Sequence, residues 1–160
     1  MGDERAELAR ELFQKAHRMQ VEGELDLAVR FYQKSIDLHA TAEAHTFLGW
    51  AYHFQGKIDE AIAECKKAIA IDPAFGNPYN DIGAYLIERG EYDEAIGWLE
   101  KAILAKRYES YHYPWFNLGR ICVARELFNK ACTCFEKSLE FHPGFAPAQG
   151  ALRKIRRTIQ

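Results

Sequence analysis

The chain carries six His and four Cys, the residue types most used for metal ligation and nucleophilic chemistry. A site needs several of them at a spacing that brings them together. Cys65, Cys122, Cys132 and Cys134 form no Cys-x-x-Cys pair and have no companion His-x-x-x-His. On a helix, Cys132 and Cys134 point about 200° apart, too far round to share one ligand. Cys65 and Cys122 fall on apolar stripes and read as small buried hydrophobes. All four are expected to be reduced, structural thiols. The six His are scattered. His17 and His53 could approach each other across neighbouring structural units, but two imidazoles fall short of the three or four ligands a metal takes. There is no Gly-rich phosphate loop, no nucleophile elbow and no His-Glu-x-x-His. The expectation is a protein that is not an enzyme, with no catalytic residue, no metal and no cofactor.

What recurs is a set of small residues that position helices. Gly23, Gly56 and Gly90 are spaced by 33 and 34 residues, and Ala28, Ala61, Ala95 and Ala131 by 33, 34 and 36. A third series runs Ala16, Gly49, Gly83, Gly119. One period shared by three series marks a unit that cannot bury its apolar face alone and stacks on copies of itself. In the second copy, 45–54 has Leu48, Gly49 and Tyr52 at helical spacing. Gln55-Gly56-Lys57 breaks that helix, with Gly supplying a left-handed turn. A second amphipathic helix, 58–71, carries Ala61, Cys65, Ala68 and Ile69 on one face, and Asp72-Pro73 ends it.

Leu48-Gly49-x-x-Tyr52, followed by Gly56, Ala61 and Pro73, resembles the tetratricopeptide repeat. The third copy offers Tyr79-x-x-Ile82-Gly83, Gly90, Ala95 and Leu99. The fourth offers Trp115-x-x-Leu118-Gly119, Ala131, Phe135, Ser138 and Pro143. The first is the most divergent, with Leu12, Ala16, Met19, Gly23, Ala28 and Tyr32. The resemblance covers roughly residues 6–145. It implies an all-α fold: nine antiparallel helices in a right-handed superhelical solenoid, as one domain over 1–160. The repeats would span about 9–41, 42–75, 76–111 and 112–145, closed by a capping helix at about 146–159. Two departures stand out. The join within 106–114 carries two extra residues, and the fourth turn reads Arg125-Glu126-Leu127 with no Gly. Arg125 or Glu126 must there take the left-handed conformation, or the turn must differ in shape.

The first helix of each unit carries a second stripe at i, i+4, i+7, i+8. It holds Phe13, His17, Gln20 and Val21; then Thr46, Trp50, His53 and Phe54; then Asn80, Ala84, Ile87 and Glu88; then Phe116, Arg120, Val123 and Ala124. The resemblance implies that this stripe lines a concave groove that holds an extended peptide or a helix. The partner-binding residues expected on it are Phe13, His17, Thr46, Trp50, His53, Phe54, Asn80, Ile87, Phe116 and Arg120. Aromatic and Arg side chains are favoured interface anchors. Chaperone-binding members of the family clamp a partner's C-terminal carboxylate with cations and Asn. The matching places here hold Phe13, His17, Phe47, Asn77 and Asp81, which implies no such clamp.

Net charge is only −2, so there is no global pull towards nucleic acid or anionic lipid. The basic run Arg153, Lys154, Arg156, Arg157 reads as a solvated face of the last helix. No stretch approaches the roughly 20 apolar residues of a membrane span, and the charged N-terminus is no secretory signal. The expected protein is a cytoplasmic adaptor, scaffold or chaperone-like module that binds a protein or peptide, with no nucleic acid and no membrane as partner, as a monomer or weak homodimer. Two alternatives stand beside it. One is a self-associating structural protein, motivated by Gly97 beside Trp98 inside a helix, where Gly costs roughly 1 kcal/mol relative to Ala. The other is a small secretion chaperone for translocator subunits, supported by length and repeat count.

Overall fold

The computed structural model describes residues 1–159 of the chain. They form nine α-helices and no β-strand: α1 (Gly2–Val21), α2 (Leu25–Leu38), α3 (Ala42–Phe54), α4 (Ile58–Ile71), α5 (Asn77–Glu88), α6 (Tyr92–Leu104), α7 (His112–Ala124), α8 (Phe128–Phe141) and α9 (Ala146–Ile159). The helices gather into two compact units, Met1–Pro78 and Tyr79–Gln160. α4 and α9 have the bounds expected from their Gly and Pro punctuation. α3 begins earlier than the apolar spacing suggests, because Thr41 caps it: its hydroxyl oxygen accepts the Ala44 N–H at 3.1 Å.

The four turns after α1, α3, α5 and α7 use one hydrogen-bond scheme. After α1, the Gly23 N–H donates to Gln20 O and the Glu24 N–H to Met19 O. The pairs Gly56–His53 and Lys57–Tyr52 repeat this after α3, Gly90–Ile87 and Glu91–Leu86 after α5, and Glu126–Val123 and Leu127–Cys122 after α7. This scheme needs one residue in the left-handed region. Gly23, Gly56 and Gly90 sit there with φ of 83°, 80° and 75°, and Glu126 takes the same place at φ 59°. The fourth turn is therefore the same turn, made by a residue with a Cβ.

The third small-residue series, Ala16, Gly49, Gly83 and Gly119, sets how closely helices pair. Ala16 is fully buried. A Cβ on Gly49 would lie 3.0 Å from the Ala61 carbonyl oxygen, and one on Gly83 2.5 Å from a Leu99 methyl. One on Gly119 would run into the Phe135 ring. The unit Met1–Pro78 buries Ala16, Ala28, Tyr32, Leu48 and Ala51 around these contacts. The other unit buries Ala131, Phe135, Ala148, Leu152 and Ile155. In each unit one Ser ties a second helix back to a first: Ser35 donates to Ala9 O at 2.6 Å, and Ser138 to His112 O at 2.7 Å. The extra residues before α7 fold into an aromatic latch. Tyr108 is buried edge-on to Tyr111, whose hydroxyl donates to Ala105 O at 2.6 Å.

Candidate partner-binding surface

In the unit Met1–Pro78, α1 and α3 bring five of the six expected residues into one aromatic chain. Phe47 is its hub. The Phe47 ring lies 5.2 Å from Phe13, 5.6 Å from His17 and 5.6 Å from Trp50, each in an edge-to-face arrangement. Trp50 continues to Phe54 at 6.2 Å, and Phe54 to His53 at 5.6 Å. The chain runs from half-buried Phe13 and Phe47 out to Trp50, 43% exposed, and Phe54, 59% exposed. It is their contiguity, more than the exposure of either ring, that marks an interaction surface. Thr46 is not part of this surface. It is buried, and its hydroxyl donates back to Ala42 O at 2.7 Å. Phe47 matched only a clamp place in the sequence and was not among the expected partner-binding residues, because it lies off the i, i+4 stripe. Its position between Thr46 and Trp50, with Phe13 on the neighbouring helix, was the available signal.

The same unit holds a buried His45–Glu64 pair, reached from the surface by exposed Lys67. The His45 Nδ1–H donates to Glu64 Oε2 at 2.6 Å, and Lys67 Nζ donates to Glu64 Oε1 at 2.8 Å. Burial acts to raise the Glu64 pKa, but the hydrogen bonds and charges of His45 and Lys67 outweigh it and hold the carboxyl below its usual range. The bond to Glu64 raises the Lys67 pKa in turn.

In the unit Tyr79–Gln160 the expected residues divide. Asn80 and Ile87 are buried, each 8% exposed, so neither offers an open surface. Asn80 instead anchors a polar relay: Asn117 Nδ2 donates to Asn80 Oδ1 at 3.0 Å, and Arg120 Nη1 donates to Asn117 Oδ1 at 3.1 Å. Arg120 ends the relay, exposed. Phe116 is half-buried against Phe135 at 5.5 Å and Phe145 at 5.3 Å. Phe116 and Arg120 also line a cleft of about 260 Å³ shared with α8 and α9. Nearby on α5, burial pushes the Asp81 carboxyl up to about 7, and the Tyr108 phenol rises through its own burial and the Asp81 charge. The four cysteines are free thiols. Burial and contact with the Cys122 thiol push Cys134 up to about 12, a pairing the helical spacing of Cys132 and Cys134 did not suggest.

Among the described residues no three or more His, Cys, Asp or Glu come together as metal ligands, and no helix is long and apolar enough to cross a membrane. Models of the tetratricopeptide repeat match residues 42–75, 64–97 and 113–144. The small glutamine-rich tetratricopeptide repeat-containing protein 2 of Mycosarcoma maydis is 32% identical over 98 residues, 56% of this chain and 28% of that protein. The chain spans less than a third of the curated relatives it matches. Among solved structures, Pseudomonas aeruginosa PilF superposes with a TM-score of 0.88 at 22% identity, over 96% of this chain and 70% of PilF. The first tetratricopeptide domain of Spaghetti (RPAP3), bound to the HSP90 peptide SRMEEVD, superposes at 0.66 with 25% identity, over 74% of this chain and 92% of that one. With its glycine turns, its small-residue helix contacts and these matches, the chain belongs to the tetratricopeptide repeat family.

Proposed function

We propose that this chain is a non-catalytic protein-interaction module, an adaptor or chaperone-like protein, which takes an extended peptide or a helix of a partner onto the aromatic surface of α1 and α3. The observation that carries this reading is the outward run from Phe47 to Trp50 and Phe54, two large rings left open on a rigid helix and backed by buried ones. Rigid aromatics offer contact area at low entropic cost, which is why they dominate binding energy at interfaces. A peptide as ligand class is supported by the RPAP3 domain, which resembles this chain and is bound to one. Four free thiols suit a reducing compartment and support a cytoplasmic location. The test begins with a partner obtained by co-purification. Trp50→Ala is expected to weaken its binding roughly thirtyfold, the usual result of truncating an anchor worth about 2 kcal/mol, with helicity unchanged. Equal affinity of the variant and the parent would rule this surface out.

A second reading, self-association, is favoured by Gly97. It lies exposed within α6, and a Cβ there would meet nothing within 4 Å, so no contact inside the chain accounts for it. Trp98 beside it packs at 6.1 Å on Tyr79, with Lys101 Nζ 4.6 Å from its ring centre. Light scattering of the parent and of Gly97→Leu separates the two readings: a dimer lost in the variant would place the interface on α6.

A further inference from the structure

The cleft between α7, α8 and α9 combines an apolar floor with a cationic rim. Phe116, Phe128, Phe135 and Ile155 line its floor, and Arg120 and Lys154 stand beside it. Its volume, about 260 Å³, falls below the roughly 300–1,000 Å³ of small-molecule sites. It suits an inserted side chain better than a whole ligand.

The charge around it is lopsided. The chain as a whole has a net charge of −2, yet α9 carries four cations and no acid. Arg156 reaches Glu136 at 3.4 Å. Among the described residues Arg120, Arg153, Lys154 and Arg157 have no carboxylate partner. Solvated surface cations usually move freely, but Arg120 does not stand alone. Two buried amides, Asn80 and Asn117, hold it through the relay of 3.0 and 3.1 Å hydrogen bonds. The relay is neutral, so it fixes the guanidinium without compensating its charge. A guanidinium held by one edge keeps other N–H groups for a carboxylate, which its fork geometry matches.

We propose that this cleft docks an acidic segment of a protein partner, with one apolar side chain inserted over Phe135 and flanking carboxylates on Arg120 and Lys154. The proposal rests on the interaction reading above for the class of partner, but uses a surface in the other unit. The apolar floor supplies affinity. The cations select the flanking sequence and speed the encounter at low salt.

The probe is an array of capped peptides with a central Leu, Phe or Ser in Glu-rich, Ser-rich or Lys-rich frames. Glu-rich frames with Leu or Phe at the centre are expected to be retained, and Lys-rich frames not. In fluorescence anisotropy, Arg120→Ala combined with Lys154→Ala should weaken the retained peptides about tenfold or more, with the loss shrinking as salt rises. Ala151→Trp, which fills the cleft, should abolish binding with the helical circular dichroism intact. Should that variant misfold, the exposed Arg120 and Lys154 pair decides the matter. Trp50→Ala should leave these peptides bound, so failure of the α1–α3 surface and failure of this cleft are separable. The proposal is overturned if no frame binds or if Ser serves as well as Leu at the centre. It is also overturned if the double variant binds like the parent. Binding of phosphatidylserine vesicles without peptide binding would make the basic face a lipid contact instead. A dimer that the double variant dissolves would make it a self-interface.

Discussion

Each unit of the molecule holds one carboxylate whose titration its surroundings shift, and the two shift in opposite directions. Glu64, in the unit Met1–Pro78, has burial working against its charge, yet His45 and Lys67 hold its pKa below the ordinary range. Asp81, in the unit Tyr79–Gln160, has burial without a base, and its pKa climbs to about 7. The repeat explains the difference. His45 and Glu64 occupy the places that Tyr79 and Trp98 fill 34 residues later, and there the pair is aromatic, 6.1 Å between rings. This slot between the helices of a hairpin accepts an ion pair or a ring pair, provided it is filled from both sides. Asp81 lies outside the slot and inherits no partner from it. The repeat frame fixes small residues and turns; it leaves the chemistry of its buried polar groups to each copy.

Removing Asp81's charge should therefore produce the largest effect. Its folded pKa lies above the roughly 3.9 of an unfolded Asp, so between about pH 4 and 7 the folded state holds a proton that the unfolded state has released. Asp81's own contribution to stability must then fall as pH rises through that window. Asp81→Asn should be more stable than the parent at pH 8, by an amount on the order of a few kcal/mol, and should flatten the decline. Urea unfolding at pH 5 and pH 8 measures both. A difference between parent and variant that is the same at the two pH values would show that the carboxyl is effectively solvated.

Glu64 has the reverse sign. Its folded pKa is depressed, so its contribution is complete above the unfolded value of about 4.3 and is lost as pH falls through the folded one. Glu64→Gln removes one buried charge-assisted hydrogen bond, to His45, and one to exposed Lys67 that solvent screens, and should cost about 1.5–3 kcal/mol at pH 7, nearly all of it from the His45 bond. The parent and the variant should converge in acid. If the variant's loss persists undiminished at pH 3, packing rather than charge is what Glu64 supplies.

The helix contacts come next. Gly119→Leu places a side chain where the Phe135 ring lies and should cost about 1–3 kcal/mol through overpacking. An unchanged melting temperature would mean that α7 and α8 can slide apart, and that the small-residue series does not set their distance.

These contacts were legible in the sequence because they repeat. Three glycines with one period predicted three left-handed turns, and the period placed a fourth at Arg125 or Glu126, where Glu126 adopts it. The bounds of α4 and α9 followed from Pro and Gly. What does not repeat was not legible. Thr46, Asn80 and Ile87 share a stripe with Trp50 and Arg120, yet they are buried. Thr46 turns its hydroxyl onto its own helix, and Asn80 finds an amide 37 residues away. The first bond needs a hydroxyl and the second a matching amide, and the other copies hold Phe13 and Phe116 on that stripe, so periodicity carries no trace of either. The Tyr108–Tyr111 latch and the Cys122–Cys134 contact are local inventions of the same kind.

The smallest effect tests the turns directly, by exchanging the residues that one turn of each unit uses. Gly56 and Glu126 sit in the same hydrogen-bond scheme, with φ of 80° and 59°. A left-handed residue with a Cβ carries roughly 1–2 kcal/mol of strain. Replacing it with Gly relieves that strain, but gives the unfolded chain back about 0.4–1 kcal/mol of conformational freedom. Glu126→Gly should therefore gain about 0.5–1 kcal/mol net, a rise of a few degrees at most in melting temperature. Gly56→Glu should lose a similar amount, since nothing lies within 4 Å of its missing Cβ and only backbone strain opposes the change. Opposite signs for the two substitutions would show that one turn geometry governs both units. A loss in Glu126→Gly would instead show that the Glu126 side chain contributes more in the folded state than its backbone costs.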